Sequence, residues 1–246
     1  MSSPTDAELY LRGRDTLLAS WEAYASGATG AALHRLPGVA AAVFPHDPEC
    51  AVYNNALLDR DLGPDERAGA LDAMEAVYAA AGVARFAAWV HESDEPMRAE
   101  LEQRGYTLDT MTRAMGMALD DIAVPRPQIP LRPARWLEYL TMEHLPLDFF
   151  ATADHAAFHL LAARIDGEMV AAALAYDFGD DCGIYNVSTV EKARKRGLGT
   201  ALTAAQAYDA RDRGCRTTSV QSTEIAEHVY ATVGFRDLGR ILEYVP

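Results

Sequence analysis

The sequence predicts an α/β (α+β) chain of two tandem modules, over 1–124 and 125–246, each a mixed twisted sheet flanked by helices. Three observations carry this. Short apolar runs bounded by turn residues alternate with longer amphipathic runs, the signature of strands interleaved with helices. The pattern also repeats: Tyr53-Asn54 recurs as Tyr185-Asn186 and Gly82 as Gly214, both 132 residues further on, and Gly105-Tyr106 lines up with Gly234-Phe235 after a shift of three. Finally, residues 187–202 read VSTVEKARKRGLGTAL, the end of an apolar strand followed by four cations in five residues and a helix opened by two glycines.

Taken in order, Thr5-x-x-Glu8 is a capping-box pattern ahead of Tyr10, Leu17, Leu18, Trp21 and Tyr24, which recur at helical spacing. Strands follow at 39–44, 52–58 and 86–90, with a helix at 66–81. Four prolines within 125–133 cannot hold a helix and read as a linker running into a first strand. In the second module the strands 158–165 and 169–175 flank Asp166-Gly167-Glu168, a tight-hairpin signal. A third strand, 183–190, delivers the cationic loop, and the helix 198–213 closes at Gly214. A strand at 217–223 and a short helix at 226–232 bearing Tyr230 complete the order.

The loop has the parts that an anionic phosphate ester needs. Gly197 and Gly199 let backbone approach a ligand with no Cβ in the way, and the first turn of the following helix carries free N–H groups. A diphosphate fits on those donors and on the positive helix end. Lys192, Arg194, Lys195 and Arg196 add charge at the same place, and Lys192 and Lys195 are the only lysines of a chain whose net charge is −14. The first copy replaces these features: Leu62, Pro64, Asp65 and Arg67 stand opposite Arg194, Arg196, Gly197 and Gly199, and Leu101 stands opposite Tyr230. A proline and carboxylates repel the ligand that the second copy invites, so the first reads as a degenerate partner.

Composition bounds the rest. A chain of 246 residues, half of them hydrophobic, buries a substantial core. Residues 1–123 carry 9 Lys/Arg against 20 Asp/Glu and residues 124–246 carry 13 against 16, so the halves hold −11 and −3; such acidity disfavours nucleic acid. Cys50, Cys182 and Cys215 are widely spaced and read as buried thiols of a reducing compartment. The start, MSSPTDAELY, is too polar for a signal peptide, and no apolar run approaches a membrane span, so a cytoplasmic protein without membrane partners is expected.

The run Arg194-Lys195-Arg196-Gly197-Leu198-Gly199 resembles the Arg/Gln-x-x-Gly-x-Gly/Ala loop of the GNAT superfamily, the acetyl-CoA-dependent N-acetyltransferases. The stretch 223–230, with its tyrosine, and the turn Val233-Gly234-Phe235 look like that family's second signature. Glu191 stands where the family usually has Pro, and Thr223 where it usually has Asn. The resemblance covers roughly 129–246 and accommodates a tandem protein with one inactive copy. It implies acetyl-CoA as co-substrate, no metal, and a third strand that splays from its neighbour so that backbone at Ser188, Thr189 and Val190 holds the pantetheine and polarises the thioester carbonyl. Arg194, Lys195, Arg196, Gly197, Leu198, Gly199 and Thr200 then hold the diphosphate, and Thr223 lies beside the arm.

Acetyl transfer needs a neutral amine beside the carbonyl, a stabilised oxyanion and a proton for the departing thiolate. Tyr230 maps to the tyrosine that family members use as that acid. His155, His159, Asp180, Asp181 and Glu224 are all considered as the base, and none is assigned. Asn54 and Asn186, present in both copies, read as support for the strand splay. The acceptor is expected to be the primary amine of a small, cationic molecule, selected by loops such as 142–155, with the protein a monomer or homodimer. The alternatives are an acyl-CoA sensor without catalysis and a protein or peptide N-acetyltransferase.

Overall fold

The computed structural model describes residues 3–49, 53–143 and 155–246. The chain forms two compact units, a larger one from Met1–Ser20 with Arg113–Leu238 and a smaller one from Trp21–Thr112 with Gly239–Pro246. Each is therefore assembled from two separate stretches of chain.

The smaller unit contains β1 (Ala32–Leu36), β2 (Val39–Val43), β3 (Asn55–Leu58), α2 (Pro64–Ala80), β4 (Ala87–His91) and α3 (Glu95–Gln103). β1, β2 and β3 pair antiparallel in sequence, β3 runs parallel to β4, and residues 241–244 of the last strand pair antiparallel with β4. Parallel neighbours need a crossover, and α2 provides it. Leu71, Met74 and Tyr78 on α2 and Met97 and Leu101 on α3 are fully buried against Ala56, Ala88 and Tyr244 of the sheet. Tyr78 stacks on Phe86 at 4.0 Å.

The larger unit opens with α1 (Asp6–Ser26), whose start is fixed by the expected capping box. The Thr5 N–H donates to Glu8 Oε2 at 2.7 Å and the Glu8 N–H to Thr5 Oγ1 at 3.2 Å. Then come β5 (Thr107–Ala118), β6 (Arg132–Pro133), α4 (Trp136–Met142), β7 (Phe158–Ile165), β8 (Glu168–Phe178), β9 (Asp181–Thr189), α5 (Leu198–Arg213), β10 (Thr217–Ser222), α6 (Glu227–Val233) and β11 (Arg236–Val245). β6 to β9 pair antiparallel in sequence, β9 runs parallel to β10, and β10 pairs antiparallel with 113–118 of β5. The β7–β8 turn has both Asp166 (φ 52°) and Gly167 (φ 83°) in the left-handed region, as a two-residue hairpin demands. α5 lies on β8, where Ala171 and Ala173 are fully buried and small enough to admit Leu202.

Most expected elements lie within a few residues of their observed bounds. β1 and α4 have no counterpart among the elements expected from sequence, because five and seven residues are too few to establish a period. Residue 52 of one expected strand, Cys50, and 144–154 of the expected acceptor loop lie outside the described residues. Cys182 and Cys215 are free and buried. Among the described residues no helix is long and apolar enough to cross a membrane.

The same order of strand, helix, parallel strand and helix runs from β3 to α3 and from β9 to α6. The glycines that matched in sequence agree in conformation: Gly82 (φ 69°) and Gly214 (φ 104°) end the first helix of each series, and Gly105 (φ 92°) and Gly234 (φ 123°) come after the second.

Gly183 shows how tightly β9 is built. A Cβ there would lie 2.1 Å from the Tyr185 hydroxyl and 2.4 Å from its Cζ, because the tyrosine folds back over the strand. Gly183→Ala is therefore expected to cost about 1–3 kcal/mol in thermal or denaturant unfolding, as overpacking does, and Tyr185→Ala in that background to recover part of the loss. An unchanged midpoint for Gly183→Ala would contradict this packing.

Candidate functional site

β9 and β10 pair only at their beginnings, through Asp181–Thr217, Cys182–Thr218 and Gly183–Ser219. Beyond that point β9 continues to Thr189 and β10 to Ser222 without pairing to each other. A bulge accompanies the divergence: the register with β8 passes from Leu174–Tyr185 to Ala172–Ser188, so Ala173 faces two residues of β9. Asn186 takes the left-handed conformation there (φ 48°), and its Nδ2 donates to the Tyr139 hydroxyl at 2.7 Å. Asn54 acts differently. It is fully buried, its Oδ1 accepts the Phe44 N–H at 2.7 Å and its Nδ2 donates to the Asp47 carbonyl at 2.9 Å.

After the bulge, backbone alternation decides which groups face the gap. The Val190 N–H donates to the Val170 carbonyl at 2.9 Å, toward β8. Ser188, two residues before, faces the same way, so Thr189 turns its N–H and carbonyl toward the open side. Arg194 Nε donates to that carbonyl at 3.2 Å, bracing the loop against the strand it leaves.

The loop then delivers α5 with its N-terminus open. Lys195 (φ 61°) and Gly197 (φ 74°) are left-handed, and no side chain caps the helix. A Cβ on Gly197 would meet nothing within 4 Å, so its φ rather than crowding calls for glycine. The N–H groups of Leu198, Gly199 and Thr200 have no acceptor within the helix. Arg194, Lys195 and Arg196 are exposed, and among the described residues Lys195 and Arg196 have no carboxylate partner, while Lys192 pairs with Glu168 at 2.6 Å. An uncapped helix end, a left-handed glycine and unpaired cations fit a diphosphate. Among the described residues no three His, Cys, Asp or Glu side chains are grouped to hold a metal ion.

α6 closes the other side. A Cβ on Gly199 would lie 3.7 Å from Val229 of α6 and 4.0 Å from Val187 of β9, so strand end, helix start and α6 converge there. Arg113 Nε holds Glu227, the first residue of α6, at 2.9 Å. Tyr230 is 5 % exposed, packs edge-on against Phe235 at 5.7 Å, and has its phenol pushed up to about 12 by burial. Among the described residues its hydroxyl has no hydrogen bond, yet it is not sealed off as the Tyr185 hydroxyl is. A phenol of that kind stays protonated through the neutral range and has its proton to give.

The five residues considered as a base are scattered. Asp180 pairs with Arg12 at 2.9 Å. Asp181 is buried at the closed end of the β9–β10 pair, accepting from Thr217 Oγ1 at 2.7 Å and Ser219 Oγ at 2.8 Å. His155 and His159 lie at the start of β7, and His159 Nε2 is 3.3 Å from Asp177. Only Glu224 comes after the diverging end of β10, next to exposed Thr223. Glu143, not among the residues singled out from sequence, accepts a hydrogen bond from the Ser188 hydroxyl at the open end. Its one sequence signal is membership of the stretch expected to choose the acceptor.

In the smaller unit α2 begins at the equivalent point of the strand–helix series, and its own carboxylate caps it. The Gly63 N–H donates to Glu66 Oε2 at 2.8 Å, and Asp65 and Glu66 lie in the first turn, whereas the first turn of α5 has no acidic residue. An internal carboxylate thus caps the N-terminus of α2, where α5 has none.

Comparison with known proteins agrees with this geometry. Residues 125–235 match the acetyltransferase (GNAT) family. Residues 125–235 thus form a GNAT acetyltransferase domain, a domain of the acyltransferase class. The fold resembles a GCN5-related N-acetyltransferase from Kribbella flavida, at TM-score 0.70 and 16 % identity over 96 % of this chain and 95 % of that one. It also resembles one from Sphaerobacter thermophilus (TM-score 0.59, 16 % identity, 99 % and 94 % covered). A third likeness is to a tandem GNAT protein from the clavulanic acid biosynthesis pathway (TM-score 0.61, 16 % identity, 85 % and 78 % covered). No curated protein matches the chain in sequence.

Titration calorimetry with acetyl-CoA is expected to give one site per chain. Gly197→Asp should abolish it: Asp tolerates the left-handed conformation, so the fold survives, while its carboxylate repels the diphosphate. Two equivalent sites, or full affinity in the variant, would contradict the assignment.

Proposed function

We propose that this protein is an acetyl-CoA-dependent N-acetyltransferase that acetylates the primary amine of a small cationic molecule. In this reading residues 1–124 are a degenerate copy without a cofactor site. The observation that carries the proposal is the juxtaposition of a β9–β10 gap, an uncapped α5 N-terminus with free cations, and a buried phenol on the helix packed beside it.

Acetyl-CoA, when bound, supplies an acyl group already activated as a thioester. The first turn of α5 with Arg194, Lys195 and Arg196 would hold its diphosphate, and the Thr189 N–H facing the gap would hold the arm and polarise the carbonyl. Tyr230 would protonate the thiolate as it leaves. Glu143, tied to Ser188 at the open end, would accept a hydrogen bond from a second, cationic group of the acceptor, while the amine to be acetylated attacks in its neutral form. The net −11 of residues 1–123 favours long-range approach of a cation and opposes that of an anion.

An acetyl-CoA-dependent screen against polyamines, amino acids, aminoglycosides and peptides tests the reading. Turnover confined to peptides would move the acceptor to the protein class, and no turnover with any amine, despite cofactor binding, would favour a sensor. With the true acceptor, Tyr230→Phe should leave cofactor affinity within a few-fold and lower turnover by roughly ten- to ten-thousand-fold, the range for loss of a positioned acid. Because burial holds the phenol protonated, the wild type should show no alkaline fall in turnover through loss of the Tyr230 proton between neutrality and about pH 10.

Glu143→Gln should raise the acceptor KM about ten- to a hundredfold, as removal of a charge-assisted hydrogen bond does. Added salt should raise the same KM, since charge steering is screened beyond about 10 Å at 0.1 M. A KM indifferent to both changes would remove the cationic acceptor from the proposal.

A further inference from the structure

Tyr230 lies in the chain between two carboxylates that one guanidinium holds. Glu227 opens α6 before it, and Asp237 stands at the start of β11 after it. Arg113 Nε is 2.9 Å from Glu227 Oε1, and Arg113 Nη1 donates to Asp237 Oδ2. The stretch 227–237, with Tyr230 and the Gly234 turn inside it, is thus gripped at both ends by a single side chain of β5. Arg113 is itself well fixed: its backbone pairs with Ser222, the last residue of β10, and its side chain is only 16 % exposed.

The start of α6 has little else to hold it. The helix is seven residues long, too short to persist alone, and its N-cap is Ala226, with no side-chain cap bond. None of residues 223–229 is buried. The far end is secured differently, because Val233 is fully buried and its carbonyl accepts the Ala123 N–H at 2.8 Å. A guanidinium suits the task at the near end. Its N–H groups point in fixed directions from one plane and so set the separation of two carboxylates, which a point-like ammonium does not.

Resting on the reading of Tyr230 as the acid, we propose that Arg113 is a positioning residue for the transfer reaction: by holding Glu227 and Asp237 together it sets the start of α6, and through it the Tyr230 phenol, at the open end of β10. Without Arg113 the two carboxylates repel each other, and the helix start moves about its pinned far end. Partly exposed ion pairs add little to stability, so the fold outlives the loss. The place of a reacting group tolerates less, since a displacement of about 1 Å costs up to about a hundredfold in rate.

Arg113→Met, Arg113→Lys, Glu227→Ala, Tyr230→Phe and the double variant Arg113→Met with Tyr230→Phe test this in the full chain. In Arg113→Met, amide exchange at 230–234 should quicken about tenfold while 198–213 stays unchanged, a comparison that needs no acceptor. Acetyl-CoA affinity should stay within about threefold, because α5 holds the diphosphate, while turnover of acetyl-CoA with the best amine of the screen should fall about ten- to a hundredfold. Arg113→Lys, able to serve one carboxylate at a time, should restore part of that turnover. Glu227→Ala, a change at a partly exposed position, should reproduce the loss and decides the matter if Arg113→Met does not fold. In the Tyr230→Phe background Arg113→Met should lower turnover no further, because the group it misplaces is already gone. Equal losses in the two backgrounds, or unchanged exchange at 230–234, would overturn the role of Arg113 and leave that of Tyr230 standing. Turnover unaffected by Tyr230→Phe alone would overturn the acid, and the positioning role with it.

Discussion

The site depends on one constraint: β9 has two paired neighbours at its start and one at its end. The sheet is closed through Gly183–Ser219 and open beyond it. In an unbroken sheet the Thr189 N–H would be used by the next strand, and the gap between the strands would not exist. The bulge at Asn186 redirects the strand at this point, and its left-handed backbone is tied to α4 through Tyr139. The closed end is made firm by contrast, with Asp181 buried between Thr217 and Ser219 and Tyr185 folded over Gly183. Rigidity at one end lets the other remain open without the sheet fraying.

The gap gains its chemical meaning from the cationic loop and the helix start that β9 leads into. A helix start can receive an external anion only if nothing internal caps it, and the two helix starts differ in this respect. At α2 the Glu66 carboxylate turns back onto the Gly63 N–H, while at α5 the first turn is uncapped and flanked by Lys195 and Arg196. The two helix starts therefore differ in a few residues, on otherwise similar strand–helix–strand frames.

Much of this is legible in the sequence, for a local reason. Gly197, Gly214 and Gly234 all adopt positive φ, and a conformation that favours glycine leaves its mark at single positions. The capping box at Thr5, the Asp166-Gly167 turn and the bounds of α5 are equally local. The features that sequence does not reveal are non-local. Glu143 meets Ser188 and Tyr139 meets Asn186 across 45 and 47 residues, and Gln206 reaches β7 and β8 from an ordinary-looking polar position in a helix. The candidate bases show the same limit: Asp180 and Asp181 precede the third strand in sequence, but only the register shows that they belong to the closed end.

The central claim is that donor binding is confined to the open end of β9 and the start of α5. Hydrogen exchange of the full chain with and without acetyl-CoA measures this directly, since backbone N–H groups taken up by a ligand lose their access to solvent. Protection is expected across 187–200 and in α6, with residues 62–67 unchanged. Protection at 62–67, or none at 195–200, would contradict the account.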